Sequence, residues 1–331
     1  MIGVSVLDPV QLIQKIRAAL APRSLGEWPT PLERAPTLAA TVGLVELFLK
    51  REDRSSGRYG GNKVRGLEFL FADAAPGSVF VTVGGTGSTH CLATAVHAAR
   101  LGCRAVIAQF PQPETTVSRA VAAACAARAA LVVRARGRAT LPVAVLEAWH
   151  RARRFGPRRW IAGGGAEPHA VVGHLIAGLE VAQQMVEPPD EIVLPLGTGG
   201  TAAGVALAVA TLRWPTRVVG VRVAPVLAAN GWRTLWLAYA GRRLLARRGV
   251  ALPAPPPSCP VIVDGLGRGY GWPTKEGEAA RGLAAGHGVT LDPTYGAKAF
   301  AVLLRRATGN VRRVVFWHTF ALPELPDEPA A

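Results

Sequence analysis

The chain has 331 residues, a mass of 34.7 kDa and an apolar half, which suffices for a large core and sets a prior of about two domains. No run of about 18 uncharged apolar residues occurs, so a membrane span is not expected, and the N-terminal MIGVSVLDPVQLIQKIRAAL lacks the compact apolar run of a secretory signal. Lys and Arg outnumber Asp and Glu by 38 to 22, a net charge of +16, but the arginines are scattered. They cluster only at 151–159, 242–248 and 305–313, without a nucleic-acid-binding signature, so a solvated basic surface is expected rather than a nucleic-acid partner.

In chain order, WPTPLERAP (28–36) reads as extended, because each residue before a proline is pushed out of the helical region. Near-continuous apolar segments then predict strands at 45–50, 78–83, 104–110, 130–135, 191–196, 217–223, 260–265 and 312–318. Apolar periodicity predicts helices near 64–74, 89–101, 116–127, 141–154, 171–186, 201–212 and 297–306. A basic helix precedes the proline-rich connection APPPSCP (254–260), and ELPDEPAA forms an acidic tail. Strands alternating with helices predict an α/β fold with parallel or mostly parallel sheets covered by helices. The spacing of Cys91, Cys103, Cys125 and Cys259 fits no zinc or CxxC pattern, and buried free thiols in a reducing cytoplasm are expected.

Ligands in such folds bind where strands turn into helices. Four turns stand out. In SSGRYGGNKVRGLEFL, Lys63 follows the loop Gly60-Gly61-Asn62 and opens an amphipathic helix. The positive end of a helix dipole disfavours its ammonium form, as an imine-forming lysine requires, although a surface lysine fits the same residues. In VTVGGTGSTHCLATA, Ser88 and Thr89 either cap the next helix or face a ligand carboxylate. In EIVLPLGTGGTAAG, the loop Gly197, Thr198, Gly199, Gly200 and Thr201 opens a helix and reads as an anion site. The next strand ends without the acid a dinucleotide fingerprint needs, and no Walker lysine follows. Finally, GYGWPT (269–274) and LDPTYGAKAF (291–300) place Tyr270 and Tyr295 in turns, either as half-buried plugs or as proton-exchanging phenols.

A lysine after a GGN loop, a hydroxyl-rich turn, a GTGGT loop and a late DPxY motif occur in that order. The sequence resembles the fold type II pyridoxal phosphate enzymes, specifically the D-cysteine desulfhydrase and 1-aminocyclopropane-1-carboxylate deaminase family, from about Thr30 to Thr319. The resemblance implies a tryptophan synthase beta-like fold, with a large cofactor domain (1–51 and 163–331) and a smaller mobile one (52–162). It implies a homodimer, pyridoxal 5'-phosphate as cofactor, no metal, a small amino acid as substrate, and α,β-elimination to a 2-oxo acid and ammonia. A ring-opening or β-replacement member, or a non-catalytic homologue, is the alternative. By position, Lys63 is the Schiff-base lysine, and Ser88 stands near the substrate carboxylate or α-carbon. Tyr295 and Tyr270 are the phenols near the reacting carbon, while Asn62, Thr89, Gly197, Thr198, Gly199, Gly200, Thr201 and Thr319 hold the cofactor.

Departures cluster at the cofactor. A second lysine expected three residues after the first is Gly66, which leaves Arg65 as the fallback phosphate ligand. The amide of the S-N-[HQ] turn is Thr89, and the residue facing the pyridine nitrogen is Gly296. The GGSN turn reads Gly164-Gly165-Ala166-Glu167, and the late glycine pair reads Phe320-Ala321. Loss of the acid at 296 speaks against cyclopropane opening, which needs a strong electron sink.

Overall fold

The computed structural model describes residues 8–256, 259–307 and 313–320. In chain order its elements are α1 (Pro9–Leu20), β1 (Leu32–Arg34), α2 (Pro36–Val42), β2 (Glu46–Arg51), α3 (Lys63–Leu70), β3 (Val79–Gly85), α4 (Thr89–Ala99) and β4 (Arg104–Phe110). There follow α5 (Thr116–Arg128), β5 (Leu131–Arg134), α6 (Leu141–Ala152), β6 (Arg158–Trp160), α7 (Pro168–Gln184), β7 (Glu191–Leu196) and α8 (Gly200–Leu212). The last are β8 (Arg217–Arg222), α9 (Gly231–Ala246), β9 (Val261–Asp264), α10 (Lys275–Gly286), α11 (Gly296–Arg306) and β10 (Arg313–His318).

Two sheets result. One has the order β1-β2-β10-β7-β8-β9 and is parallel except for β1, which runs antiparallel to β2 at the edge. The other, β5-β4-β3-β6, is wholly parallel. The chain leaves the first sheet after β2, builds the second, and returns through α7. The mostly parallel α/β fold is thus as expected. The proposed acidic tail, Ala321 and the proline-rich residues 257–258 lie outside the described residues.

Small residues let α7 sit close between α3 and α8. A Cβ at Gly66 would stand 2.8 Å from the Cβ of Ala170, and one at Gly178 would stand 2.4 Å from the Cβ of Ala208. A buried ionic cluster fastens the same junction. Arg65 donates to Glu52 (2.6 Å) and Glu180 (2.6 Å), while Lys50 donates to Glu180 (3.1 Å), Gln184 and the carbonyl of Thr30. Two cations face two carboxylates, and the remaining donors meet oxygen atoms. This is the condition under which buried charge is tolerated. Arg65 is therefore committed to the fold, which corrects its role as fallback phosphate ligand.

The arginine clusters are engaged locally. Arg151 pairs with Glu147, Arg158 covers Trp149, Arg242 bonds the Leu252 carbonyl, and Arg306 pairs with Glu191. Among the described residues, no helix is long and apolar enough to cross a membrane. Cys91, Cys103 and Cys125 are buried thiols, and Cys259 is half-buried.

Candidate active site

The carboxyl ends of β2, β3, β7, β8 and β10 converge, and the glycine turns that follow them bring the expected residues together. Two adjoining cavities open there. The smaller, about 30 Å³, is lined by Asn62, Lys63, Thr89, Gly197, Thr198, Gly199, Gly200, Thr201, Tyr295, Thr319 and Phe320 among others. The larger, about 480 Å³, shares Lys63, Gly197, Thr198 and Tyr295 and adds Ser88, His90, Gly164 and Tyr270. Every residue singled out for the site lines one cavity or the other. Among the described residues no carboxylate lines either.

Lys63 opens α3, and its ammonium donates to the carbonyl of Gly164 (3.1 Å). Its stem keeps some solvent contact, but its amine is enclosed, and burial lowers its pKa to about 8. Desolvation, rather than the helix dipole invoked from sequence, is thus the cause that can be named. Gly164 holds a left-handed φ of +69°, and a Cβ there would stand 2.5 Å from Thr198 Oγ1. The carbonyl thereby reaches Lys63 while its turn lies against the anion loop.

That loop opens α8. Gly199 has φ +91°, and a Cβ there would meet Thr234 Oγ1 at 2.9 Å. The N–H groups of the first helical turn lack intrahelical acceptors and lie at the positive end of the dipole. Asn62 Nδ2 donates to Thr201 Oγ1 (2.8 Å), so the GGN loop and the anion loop are tied together. Thr201 Oγ1 also lies 3.5 Å from His174 Nε2. Arg233 Nε donates to the Thr198 carbonyl (3.3 Å), which puts a cation beside the loop. Sequence reasoning missed both His174 and Arg233. Neither belongs to a glycine motif, and only tertiary packing brings them here.

Ser88 caps α4 by accepting from Cys91 N (3.4 Å), so the capping alternative holds, and its side chain also lines the larger cavity. The hydroxyl hydrogen remains to be donated. His90 bonds Thr82 through Nε2 (3.0 Å), while its buried Nδ1 has no partner in the protein. Burial and the nearby Lys63 push its pKa down to about 3, so it stays neutral. Burial likewise holds His174 well below the usual histidine range, with Lys63 and Arg65 adding to the effect.

The two phenols touch: Tyr270 Oη lies 2.5 Å from Tyr295 Oη. Burial pushes Tyr270 up to about 12 and Tyr295 well above its ordinary value. Both are therefore protonated at neutral pH, and since one proton serves their mutual bond, the other remains to be donated. Two residues of LDPTYGAKAF hold them in place. Asp292 accepts from the N–H groups of Thr294, Tyr295 and Gly296, and Lys298 donates to the carbonyls of Leu266 and Gly269. Gly296 itself lines neither cavity, and a Cβ there would stand 3.1 Å from Asp292 Oδ2. Gly66 likewise faces α7 rather than the anion loop.

These residues fit pyridoxal phosphate. An enclosed amine of lowered pKa suits its aldehyde, a cradle of backbone N–H groups suits its phosphate, and His90, whose buried Nδ1 has no partner in the protein, lines the larger cavity.

Comparison with known proteins agrees. Residues 23–319 match the family described as pyridoxal-phosphate dependent enzyme. The chain is similar to nocardicin C-9' epimerase of Nocardia uniformis subsp. tsuyamanensis, at 36% identity over 87% of this chain and 91% of the relative. It is also similar to D-cysteine desulfhydrase of Salmonella choleraesuis, at 31% identity over 90% of this chain and 93% of the relative. Among solved structures, an ACC deaminase homologue superposes with a TM-score of 0.78 at 28% identity, covering 92% of this chain and 94% of the other.

Proposed function

The chain belongs to the pyridoxal-phosphate dependent enzymes, in the group that holds D-cysteine desulfhydrases and 1-aminocyclopropane-1-carboxylate deaminases, and within it we propose a lyase that eliminates the β-substituent of an amino acid. D-cysteine is the simplest such substrate; with water it would yield pyruvate, ammonia and hydrogen sulfide. The observation that carries this reading is the placement of an amine of pKa about 8 in one cavity with a protonated phenol pair and no carboxylate.

When bound, the cofactor withdraws electrons from the α-carbon. Lys63 would hold it, and its amine would take the α-proton of the bound amino acid. A pKa of about 8 leaves a useful neutral fraction at pH 7. The Ser88 hydroxyl and the first turn of α4 receive the substrate carboxylate. Tyr295, backed by Tyr270, hands a proton to the departing sulfur, which both phenols can do because burial keeps them protonated. Asn62, Thr89, Thr319 and the 197–201 loop hold the cofactor, with Arg233 adding positive charge. Residues 52–162 form the smaller unit that closes over the substrate. In support, Ser88 and Phe110 line the larger cavity from that side, and Thr198 and Tyr295 from the other. A homodimer is part of the same reading. The exposed Trp232, Trp236 and Tyr239 along α9 offer it a surface.

Pyruvate release by the purified holoenzyme from D-cysteine and β-chloro-D-alanine tests the proposal; release from neither overturns it. A second reading is epimerisation at the α-carbon, favoured by the 36% identical relative and by Lys63 and Tyr295 lining one cavity. It predicts deuterium uptake at that carbon in D₂O, with inversion and no 2-oxo acid.

A further inference from the structure

We infer that the amino acid handled at this site carries a bulky apolar group beyond its β-carbon, ended by an anion beside Arg138. The inference rests on the reading of the cavity as an amino-acid site. It deepens that reading by naming the substrate class, a β-substituted alanine with an aromatic, carboxylate-bearing substituent.

Size is the first argument. The cavity of about 480 Å³ lies in the range of sites for ligands larger than cysteine. The cofactor phosphate has its own cavity at the anion loop, so this space serves the ring and the substrate. Cysteine, with its seven heavy atoms, would leave much of it to water.

The lining is the second. The apolar part of the lining includes Phe110, Leu141, Ala224, Pro225, Leu227 and Ala228. These residues come from two different sheets, at the ends of β4 and β8 and the start of α6. Leu227 is 89% exposed, with no protein group covering it. A substrate ending at its β-carbon would leave this wall wet.

Charge is the third. Arg138 lies in the same wall, and its guanidinium carbon is 5.6 Å from the Phe110 ring centroid. Among the described residues no carboxylate pairs with it. Stacking on an aromatic face leaves the edge of a guanidinium free for a bidentate anion.

The test uses the holoenzyme and three D-cysteine thioethers: S-methyl, S-benzyl and S-(4-carboxybenzyl). Kd comes from titration of the cofactor absorbance, and pyruvate is assayed separately. The benzyl compound should bind at least about tenfold tighter than the methyl one, and the carboxylate should add roughly another tenfold. Arg138→Gln should bring the ratio between carboxybenzyl and benzyl to about one. Equal or tighter binding of the S-methyl compound overturns the size argument, and an unchanged ratio in Arg138→Gln overturns the anion contact. The expected order of Kd without pyruvate supports the inference while sinking elimination. Absence of any spectral response to all three removes the amino-acid site, and the inference with it.

Discussion

Lys63 should capture pyridoxal phosphate with a yield that rises with pH through about 8. Burial lowers its pKa from 10.5 to about 8. At pH 7 the neutral, nucleophilic fraction is then about a tenth, against about 0.03% for an ordinary lysine, an advantage of roughly 300-fold. The direction follows from which form reacts: the amine gains reactivity as pH rises, with half of the effect reached near pH 8. Lys15 and Lys275 are exposed and serve as internal references. Burial also lowers Lys50, and Lys298 to about 8, but both amines are bonded within the fold to oxygen acceptors and neither lines a cavity of the site, so access as well as pKa sets Lys63 apart. The apo-protein would be mixed with limiting pyridoxal phosphate between pH 6 and 10, quenched with borohydride and read by peptide mass. Labelling of Lys63 should level off above about pH 9 and exceed that of Lys15 and Lys275 at pH 7. If labelling of Lys63 keeps climbing between pH 9 and 10, or is slower than that of Lys15 at pH 7, the enclosure of its amine does not do what is argued.

Thr201→Val removes a hydroxyl from the anion loop and leaves the Asn62 amide without its acceptor. At about 1.5–3 kcal/mol for a hydrogen bond to a charged partner, cofactor retention on dialysis should fall roughly 10- to 100-fold, and unchanged retention places the phosphate elsewhere. Glu180→Ala leaves Arg65 and Lys50 short of a buried counter-charge, so denaturant unfolding should show a loss of about 3–5 kcal/mol; a loss below about 1 would show the cluster to be dispensable. Tyr295→Phe should lower turnover on the order of 10²–10⁴-fold with the cofactor still bound, and wild-type rates would remove its phenol from the proton path. With no carboxylate among the described residues lining either cavity, a bound cofactor's ring nitrogen would lack an acid to hold it protonated, so β-chloro-D-alanine should turn over and 1-aminocyclopropane-1-carboxylate should barely do so. Steady-state assays giving the reverse order would refute the electron-sink argument.

Much of the fold was legible where apolar continuity dominates. The expected strands at 104–110 and 191–196 coincide with β4 and β7 because both are buried on two faces. The helix expected at 171–186 starts earlier, at Pro168, where proline suits a first helical turn. Other elements left no such trace. α10 buries only Gly277, Ala280 and Ala284, residues too small to form an apolar stripe. β6 is three residues, RRW, two of them charged. The site divides in the same way. Residues within one turn motif were legible, because glycine and hydroxyl spacing is local. Arg138, His174, Arg233 and the 224–228 loop were not, because only the convergence of separate strand ends brings them in.

The departures from the resembled family are best understood as changes in packing with consequences at the cofactor. Gly66 lies where α3 meets α7, and a side chain there would push against Ala170, so a phosphate-binding lysine and this helix contact exclude one another. Arg65, one position earlier, cannot substitute, because it already balances Glu52 and Glu180. Positive charge beside the anion loop then falls to the α8 N-terminus and to Arg233 on α9, an element with no part in the motif. At Gly296 the neighbour is Asp292, whose carboxylate is committed to three backbone N–H groups that set the turn carrying Tyr295. An acid added at 296 would begin against that carboxylate and disturb the turn that carries Tyr295. The two losses therefore have different physical origins, helix contact in one case and turn geometry in the other. On the proposed reading both leave a site that would work through desolvation, backbone dipoles and phenols, and among the described residues no carboxylate lines either cavity.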